Sequence, residues 1–446
     1  MAATIAIVGA GLSGNLLAVM LARLQCRVTV YEKGSAAADR PQGGRSINLA
    51  LAARGIRALE AAGCFDSIKP LLLPLGGRIV HESDSHTRFL AYGQRPGERI
   101  WSVSRAGLNR RLQSIAQDQF GVDYRFEHEC VGFDATNVTA IVRSEDGESA
   151  IEAELLVAAD GAGSVIRRSL AASGSLTATE TLLDHGYKEL TIPPRPGGEF
   201  ALDPSGLHIW PRGGFMLIAL PNPDRTFTAT LFLPHRGRPG FDTLNSDNIA
   251  AFFGAQFADA GPLMPALAEE FAARPVGELG TIDCNPWHLG AADSDRRVLL
   301  IGDAAHAIVP FHGQGMNAAF EDCFELARLV EQEGDTWDEL IARFESNRQE
   351  NARAIAAMAL ENYAEMRDVV RDPAFERRAA LGFELERRLG DRFIPRYSMV
   401  MFHPEIAYTE AARRGKLQAE ILDQAMRLSD DEAALELAAQ LVEQRL

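Results

Sequence analysis

The chain reads as α/β, with a βαβ nucleotide-binding unit first, an antiparallel β-sheet in the middle and helices at the end. Three observations predict this: a strand, glycine turn, helix and strand in the first 32 residues; alternating apolar and threonine residues near position 230; and periodic Ala/Leu/Glu/Arg-rich segments near the C-terminus. Thr4–Val8 (TIAIV) is rich in β-branched residues and runs into Gly9-Ala10-Gly11-Leu12-Ser13-Gly14, after which Asn15 to Leu24 reads as a buried helix. In such a GxGxxG turn the first glycine permits a tight bend, the second lets backbone approach a pyrophosphate, and the third lets the helix pack closely on the strand. The phosphates then lie at the positive end of the helix, where free N–H groups point outward. Arg27–Tyr31 is a second strand ending at Glu32, 21 residues after Gly11. A carboxylate there accepts hydrogen bonds from a ribose 2′-hydroxyl and repels a 2′-phosphate, so FAD or NAD is expected rather than NADP.

Two later segments repeat the strand-to-turn logic. Glu154–Ala159 (ELLVAA) leads into Asp160-Gly161-Ala162-Gly163-Ser164 and a helix at Val165–Leu170; Arg297–Ile301 (RVLLI) leads into Gly302-Asp303-Ala304-Ala305-His306. The latter continues through Pro310-Phe311-His312-Gly313-Gln314-Gly315-Met316-Asn317 into an apolar helix from Ala318 to Val330, again a glycine-rich turn that opens a helix. Between them, His208–Pro211, Phe215–Leu220 and Thr226–Leu233 read as antiparallel strands joined in part by the Pro221-Asn222-Pro223-Asp224 turn. In the last strand Phe227, Ala229, Leu231 and Leu233 alternate with Thr226, Thr228 and Thr230, the period of a half-buried strand. A sheet is therefore expected over about 182–283. Glu376–Arg388 and Asp430–Arg445 read as amphipathic helices.

A length of 446 residues suggests two or three domains, and 46% hydrophobic with 24% charged residues is an ordinary globular balance. Lys plus Arg is 45 against 61 Asp plus Glu, a formal charge of −16, with no dense basic run, which excludes nucleic acid as a main ligand. Cys26, Cys64, Cys130, Cys284 and Cys323 stand singly, so a reducing cytoplasm and no structural zinc are expected. Met1 to Ala22 is uncharged and imitates an export signal or membrane helix. Its first basic residue, Arg23, stands behind the apolar stretch, however, and Gly9, Gly11, Ser13, Gly14 and Asn15 interrupt it. His306 and His312 invite a metal reading, but no third ligand is apparent, and packing or hydrogen bonding is expected instead. Asp160 has a competing role as a helix cap. Arg78, after Gly76-Gly77, would by itself pass for a solvated charge, and Asn362 and Glu365, three apart, share a helix face.

The three ordered glycine motifs together resemble the single-component flavoprotein aromatic hydroxylases, and within them the members acting on L-kynurenine. The likeness spans nearly the whole chain and rests on Arg45-Ser46-Ile47-Asn48-Leu49-Ala50-Leu51, Ser102-Val103-Ser104-Arg105, Tyr187-Lys188-Glu189-Leu190, His208-Ile209-Trp210-Pro211-Arg212, Pro310 to Cys323, Asn362-Tyr363-Ala364-Glu365-Met366 and Tyr397-Ser398-Met399-Val400. The resemblance implies a glutathione-reductase-like FAD-binding Rossmann domain built from 1–73, 99–180 and 285–370, a β-sheet substrate domain from 74–98 and 181–284, and a C-terminal helical region at 371–446. It implies FAD held by Gly9, Gly11, Leu12, Ser13, Gly14, Glu32, Arg45, Arg105, Asp160 and Asp303, with Gly313, Gln314, Gly315, Met316 and Asn317 against the flavin ring and the packing or hydrogen bonding of His306 and His312 on the flavin's side. Substrate would be held by Arg78 and Tyr92 at its carboxylate, by Phe311 and His312, and by Asn362, Glu365, Met366 and Tyr397.

The implied reaction is NADPH- and O2-dependent hydroxylation of L-kynurenine to 3-hydroxykynurenine through a C4a-hydroperoxyflavin, with NADPH as transient co-substrate and no catalytic side chain beyond the flavin. Two positions depart from the family pattern: Ala319 stands where glycine is common, and Met401 where a small hydroxyl residue is common; both bear on the shape of the substrate site. Members from eukaryotes carry a C-terminal membrane anchor. Asp430 to Leu446 is charged and short of apolar length, so a soluble, bacterial-type protein without membrane or nucleic-acid partners is expected, with a homodimer left open. Competing readings are a hydroxylase of another aminobenzoyl or phenolic acid, an NAD-dependent dehydrogenase, and a non-catalytic flavin-binding protein.

Overall fold

The computed structural model describes residues 3–36, 48–84, 86–291, 293–332, 336–366 and 373–446. The chain forms two compact units, the first from Met1–Leu71, Val103–Leu182 and Gly280–Ala356, the second from Leu72–Ser102, Leu183–Leu279 and Ala357–Leu446. The C-terminal helices thus group with the sheet, where the family likeness implied a third, separate region.

In the first unit a six-stranded sheet runs in the order His288–Gly290, Arg297–Leu300, Leu155–Ala158, Thr4–Val8, Arg27–Glu32 and Asp123–Phe126. All neighbours are parallel except the His288–Gly290 edge. Thr4–Val8 sits inside the sheet, which explains its unbroken apolar run: Ile5 to Val8 are buried on both faces. The helix Leu12–Arg23 begins three residues earlier than its apolar pattern suggested, because Gly11, in extended backbone at φ −74° and ψ −174°, serves as its N-cap. Leu16, Leu17 and Leu21 are fully buried on this helix, each side chain contributing ~1.5–3 kcal/mol, and the helix packs against Arg105–Phe120 and Gly315–Glu331. Within the uncharged N-terminal stretch, Ile5–Val8 and Leu16–Leu21 are therefore core. A three-stranded antiparallel sheet of Glu129–Asp134, Thr139–Ser144 and Gly147–Ile151, unmarked by any alternation in the sequence, also belongs to this unit.

The second unit is built on a seven-stranded sheet in the order Gly277–Asn285, Thr177–Ile192, Phe227–Pro234, Met216–Pro221, Gly206–Pro211, Gly77–His81 and Thr87–Ala91. The expectation of an antiparallel sheet needs one correction. Gly206–Pro211 pairs parallel with Gly77–His81, Leu207 opposite Arg78, because the two strands come from distant stretches of chain rather than from a hairpin. Phe227, Ala229, Leu231 and Leu233 join Trp210, Leu217 and Ala219 in a core closed by Ile249, Phe253 and Phe271 from the helices Ile249–Gln256 and Leu267–Ala273. Thr230 and Phe232, on the opposite face, are buried too, so the strand is central rather than half-buried. Pro373–Leu389, Tyr408–Ala425 and Asp431–Arg445 share a smaller core around Leu385, Phe393 and Ile421. Asp430 caps the last helix by accepting from Ala433 N–H at 2.9 Å.

Candidate active site

In the first unit, the strands Thr4–Val8, Leu155–Ala158 and Arg297–Leu300 are parallel neighbours, so the turns at Gly9, Asp160 and Gly302 leave the sheet at one edge. Open α/β sheets bind ligands at that carboxyl edge. Each glycine of the first turn has its own reason. Gly9 has φ +106°, and a Cβ there would meet the Ala159 carbonyl oxygen at 2.5 Å; one on Gly14 would meet the Gly9 carbonyl oxygen at 2.0 Å. Around Gly11 nothing lies within 4 Å of the Cβ position, an open approach to backbone where a diphosphate needs one. No side chain caps the helix that follows, in which Leu12 is buried and Ser13 half-buried. These features fit a dinucleotide.

Glu32 ends its strand with Oε2 accepting from Ala10 N–H and Oε1 from Gly34 N–H, both at 2.8 Å, which fixes the carboxylate beside the glycine turn. Arg105 opens the helix Arg105–Phe120 and is exposed. Arg45 lies outside the described residues. Asp160 is partly a cap: Oδ2 accepts from Val165 N–H at 2.9 Å. Its Oδ1 is buried without a hydrogen-bond partner among the described residues, and burial pushes the carboxyl above its ordinary range. Asp303 opens the short helix Asp303–His306. Phe311 and His312 are buried in a 3-10 turn closed by Gly313 at φ +64°, and Gln314 is the N-cap of Gly315–Glu331 without capping it through its side chain, leaving the N–H groups of Gly315, Met316 and Asn317 at its open end. The Asn317 side chain is taken up within the turn: it accepts from Ala52 N–H at 2.9 Å and donates to the Ala50 and Gly313 carbonyls at 2.8 and 2.7 Å.

Two supports of this cradle escaped the sequence reading. Asn15 and Asn109 both donate to the Ala10 carbonyl at 3.0 Å, and Tyr124 donates to Asn15 at 2.6 Å. Asn15, a buried amide opening an apolar helix, was the one available signal. The second is a buried charge network. Glu321 receives Arg54 at 2.6 Å, Arg57 at 2.9 Å and Arg348 at 2.7 Å; Asp322 receives Arg348 Nε at 2.8 Å, Gly302 N–H at 3.0 Å and His306 Nε2 at 2.6 Å. Burial alone would raise both carboxyls, but Arg348 and Arg54 around Glu321, and His306 and Arg348 around Asp322, hold them below their ordinary values. His306 is held by the hydrogen bond to Asp322 and stacks on Trp287 at 4.9 Å, which places it in this network. No metal-holding cluster is present among the described residues.

The second unit gathers Arg78, Tyr92, Glu365 and Tyr397. Arg78 lies on the strand Gly77–His81, and Tyr92 follows the antiparallel partner Thr87–Ala91. The rings of Tyr92 and Tyr397 stack at 5.6 Å and 13°, the Arg78 guanidinium lies 5.9 and 5.2 Å from their centroids, and Glu365 Oε1 is 3.8 Å from Arg78 Nη1. Burial works against the Arg78 charge, yet Tyr397, Tyr92 and Glu365 outweigh it and the guanidinium is held more firmly protonated than usual. Burial likewise raises the Tyr92 and Tyr397 phenols, which stay protonated donors. Asn362, near the end of the helix Trp337–Ala364, donates to Met366 Sδ at 3.4 Å, and Glu365 and Met366 lie in a widened π turn beyond it.

The fold and these turns define a flavin-nucleotide-binding protein of the α/β class, and comparison with known proteins agrees. The FAD binding domain family model matches residues 2–230 and 266–359. A kynurenine 3-monooxygenase of Stenotrophomonas maltophilia (strain K279a) is 46% identical over 423 residues, 94% of this chain and 91% of its own length. One of Xanthomonas euvesicatoria pv. vesicatoria (strain 85-10) is 44% identical over 440 residues, 98% of this chain and 95% of its own. This chain belongs to the kynurenine 3-monooxygenase family of FAD-binding proteins. The fold is shared with the solved structure of 2-methyl-3-hydroxypyridine-5-carboxylic acid oxygenase, at TM-score 0.68 and 20% identity over 93% of this chain and 97% of that one. Among the described residues no helix is long and apolar enough to cross a membrane.

Proposed function

We propose that this protein is an FAD-dependent monooxygenase that hydroxylates L-kynurenine to 3-hydroxykynurenine with NAD(P)H and O2. The observation that carries this reading is the Arg78 group: a buried, permanently charged fork beside two protonated phenols and a carboxylate, in a family whose curated members are kynurenine 3-monooxygenases. Arg78 and Glu365 offer a cation and an anion 3.8 Å apart, a match to the carboxylate and ammonium of an α-amino acid. Tyr92 and Tyr397 add hydroxyl donors and flat apolar walls.

The first unit holds FAD: the Gly9–Gly14 turn and the helix behind it take the diphosphate, Glu32 takes the ribose, and the turns at Asp303 and Gly313–Asn317 take the remainder, with Arg105, Asp160 and Arg45 assigned supporting contacts. FAD, when bound, supplies electron transfer from NAD(P)H and the activation of O2. The protein's own residues bind, orient and exclude water; the aniline nitrogen of the substrate already activates its ring, so no side chain has to serve as a strong base. Phe311 and His312, both buried, are assigned to the reacting end of the substrate. The five cysteines are all free, in keeping with a cytoplasmic enzyme. NADPH oxidation by the FAD-loaded protein, followed with and without L-kynurenine and with a panel of aminobenzoyl and phenolic acids, tests the reading. Strong stimulation by L-kynurenine is expected; stimulation by another panel member alone, or by none, would overturn it.

A further inference from the structure

On the sheet face opposite Arg78, the second unit buries a chain of hydrogen bonds. His81 Nδ1 meets Asp259 Oδ2 at 2.5 Å, His81 Nε2 meets His208 Nδ1 at 2.7 Å, and His208 Nε2 meets the Asp203 carbonyl oxygen at 2.8 Å. Trp210 donates to Asp259 at 2.9 Å and stacks on His81 at 4.0 Å and 21°. His81 and His208 are 3% and 2% exposed, so water does not complete their hydrogen bonding. His81 is the last residue of the strand Gly77–His81, and His208 and Trp210 lie on its parallel partner Gly206–Pro211.

Proton counting in this chain has one solution. A carbonyl only accepts, so His208 must donate through Nε2. If His208 is neutral, its Nδ1 is a lone pair and His81 must donate through Nε2. The contact of His81 Nδ1 with Asp259 then needs a proton of its own. Placing the proton on Asp259, His81 or His208 changes its address but not the count: all three hydrogen bonds form only when the cluster holds one proton more than a carboxylate and two neutral imidazoles. Burial keeps His208 from taking it, lowering that imidazole to about 4. The Asp259 carboxyl is also held below its ordinary range: burial would raise it, but hydrogen bonds from His81 and Trp210 outweigh that, and Trp210 Nε1 donates to Oδ1 at 2.9 Å and Oδ2 at 3.1 Å, so both carboxylate oxygens serve as acceptors. The other charged groups around His81 are Arg212, whose Nη1 donates to the His81 carbonyl at 3.0 Å, and Glu82, paired with Arg88; the Asp203 carboxylate faces Ser205.

We propose that His81 is a buried imidazolium paired with Asp259, and that the hydrogen-bond chain completed by this proton makes His81 a positioning residue for Arg78. The completed chain ties the end of the Arg78 strand to Gly206–Pro211, so the guanidinium is presented in one place. The second half of this inference rests on the reading of Arg78 as the substrate's carboxylate grip; the first half does not.

The test uses the full-length FAD-loaded enzyme. In ¹⁵N-histidine spectra near neutral pH, both His81 nitrogens should be protonated, with the signals assigned by their loss in His81→Phe; a His81 nitrogen bearing a lone pair would overturn the stored proton. His81→Phe keeps a ring on Trp210 but no hydrogen bonds, and should raise the KM for L-kynurenine by about tenfold with kcat little changed, the size of coupling found within one hydrogen-bond network. Asp259→Asn can donate its amide N–H to His81 Nδ1, which completes the chain with a neutral His81. It should therefore lose the imidazolium signature yet keep KM within about threefold of wild type. A wild-type KM in His81→Phe, or a KM in Asp259→Asn as high as in His81→Phe, would overturn the positioning role. Were the wild-type enzyme inert toward L-kynurenine, the proposed function would fail while the spectra still decided the proton.

Discussion

Asp322→Asn removes one charge and changes no volume, and the network around it makes the outcome calculable. Oδ2 accepts from Gly302 N–H and His306 Nε2, and Oδ1 accepts from Arg348 Nε. An asparagine amide can serve one side only. Set to accept from Gly302 and His306, it turns an N–H toward a buried guanidinium; flipped, it turns that N–H toward the Gly302 amide. Either way a charged hydrogen bond worth ~1.5–3 kcal/mol is lost, and breaking a buried pair on one side costs ~3–5 kcal/mol in total. For a unit of this size, at ~2–4 °C per kcal/mol, Tm should fall by roughly 6–20 °C in a thermal scan of the FAD-free protein. Because Asp322 also pins Gly302, just before Asp303, FAD titrated by fluorescence quenching should bind about tenfold more weakly. A variant melting within 2 °C of wild type, with unchanged FAD affinity, would refute the network's role.

Arg78→Ala should leave FAD bound and raise the KM for L-kynurenine roughly ten- to a hundredfold, the loss of one charged hydrogen-bonding group; steady-state kinetics giving an unchanged KM would remove Arg78 from the substrate site. The glycine turn separates folding from binding. Gly9→Ala meets the Ala159 carbonyl and a positive φ, which alone costs ~1–2 kcal/mol, so the variant should be destabilised; Gly11→Ala has open space and should melt like wild type while weakening FAD by about tenfold or more. Equal Tm losses in the two variants would contradict the assignment of Gly11 to the diphosphate. Asp322 and Glu321 have folded-state values below their ordinary ones, so their stabilisation is complete above the unfolded carboxyl range and is lost as pH falls through the folded values. Tm of the wild type should therefore drop steeply below about pH 4, and Asp322→Asn should show a shallower acid limb.

The FAD unit was legible because its signals are local. Glycine spacing, β-branched runs and a terminal acid occur within about thirty residues, and the structure lays the three glycine turns on adjacent parallel strands. What stayed hidden was non-local. The parallel pairing of Gly77–His81 with Gly206–Pro211 joins distant stretches, and no sequence period announces such a register. Arg54, Glu321 and Arg348 look like the solvated faces of amphipathic helices, and only their partners bring them inside. Asn317 shows the limit of family likeness: its position at the helix start is as expected, but its side chain ties the turn to Ala50 and Ala52. The Arg78 group depended on that likeness altogether, since a lone arginine after two glycines carries no mark of burial in its sequence.

The most direct measurement is the product formed when FAD-loaded enzyme turns over L-kynurenine with NADPH under ¹⁸O2. The account predicts 3-hydroxykynurenine carrying one ¹⁸O atom at the position beside the amine, formed in step with NADPH consumption. NADPH consumed with hydrogen peroxide as the only oxygen product, or label placed elsewhere on the ring, would contradict it.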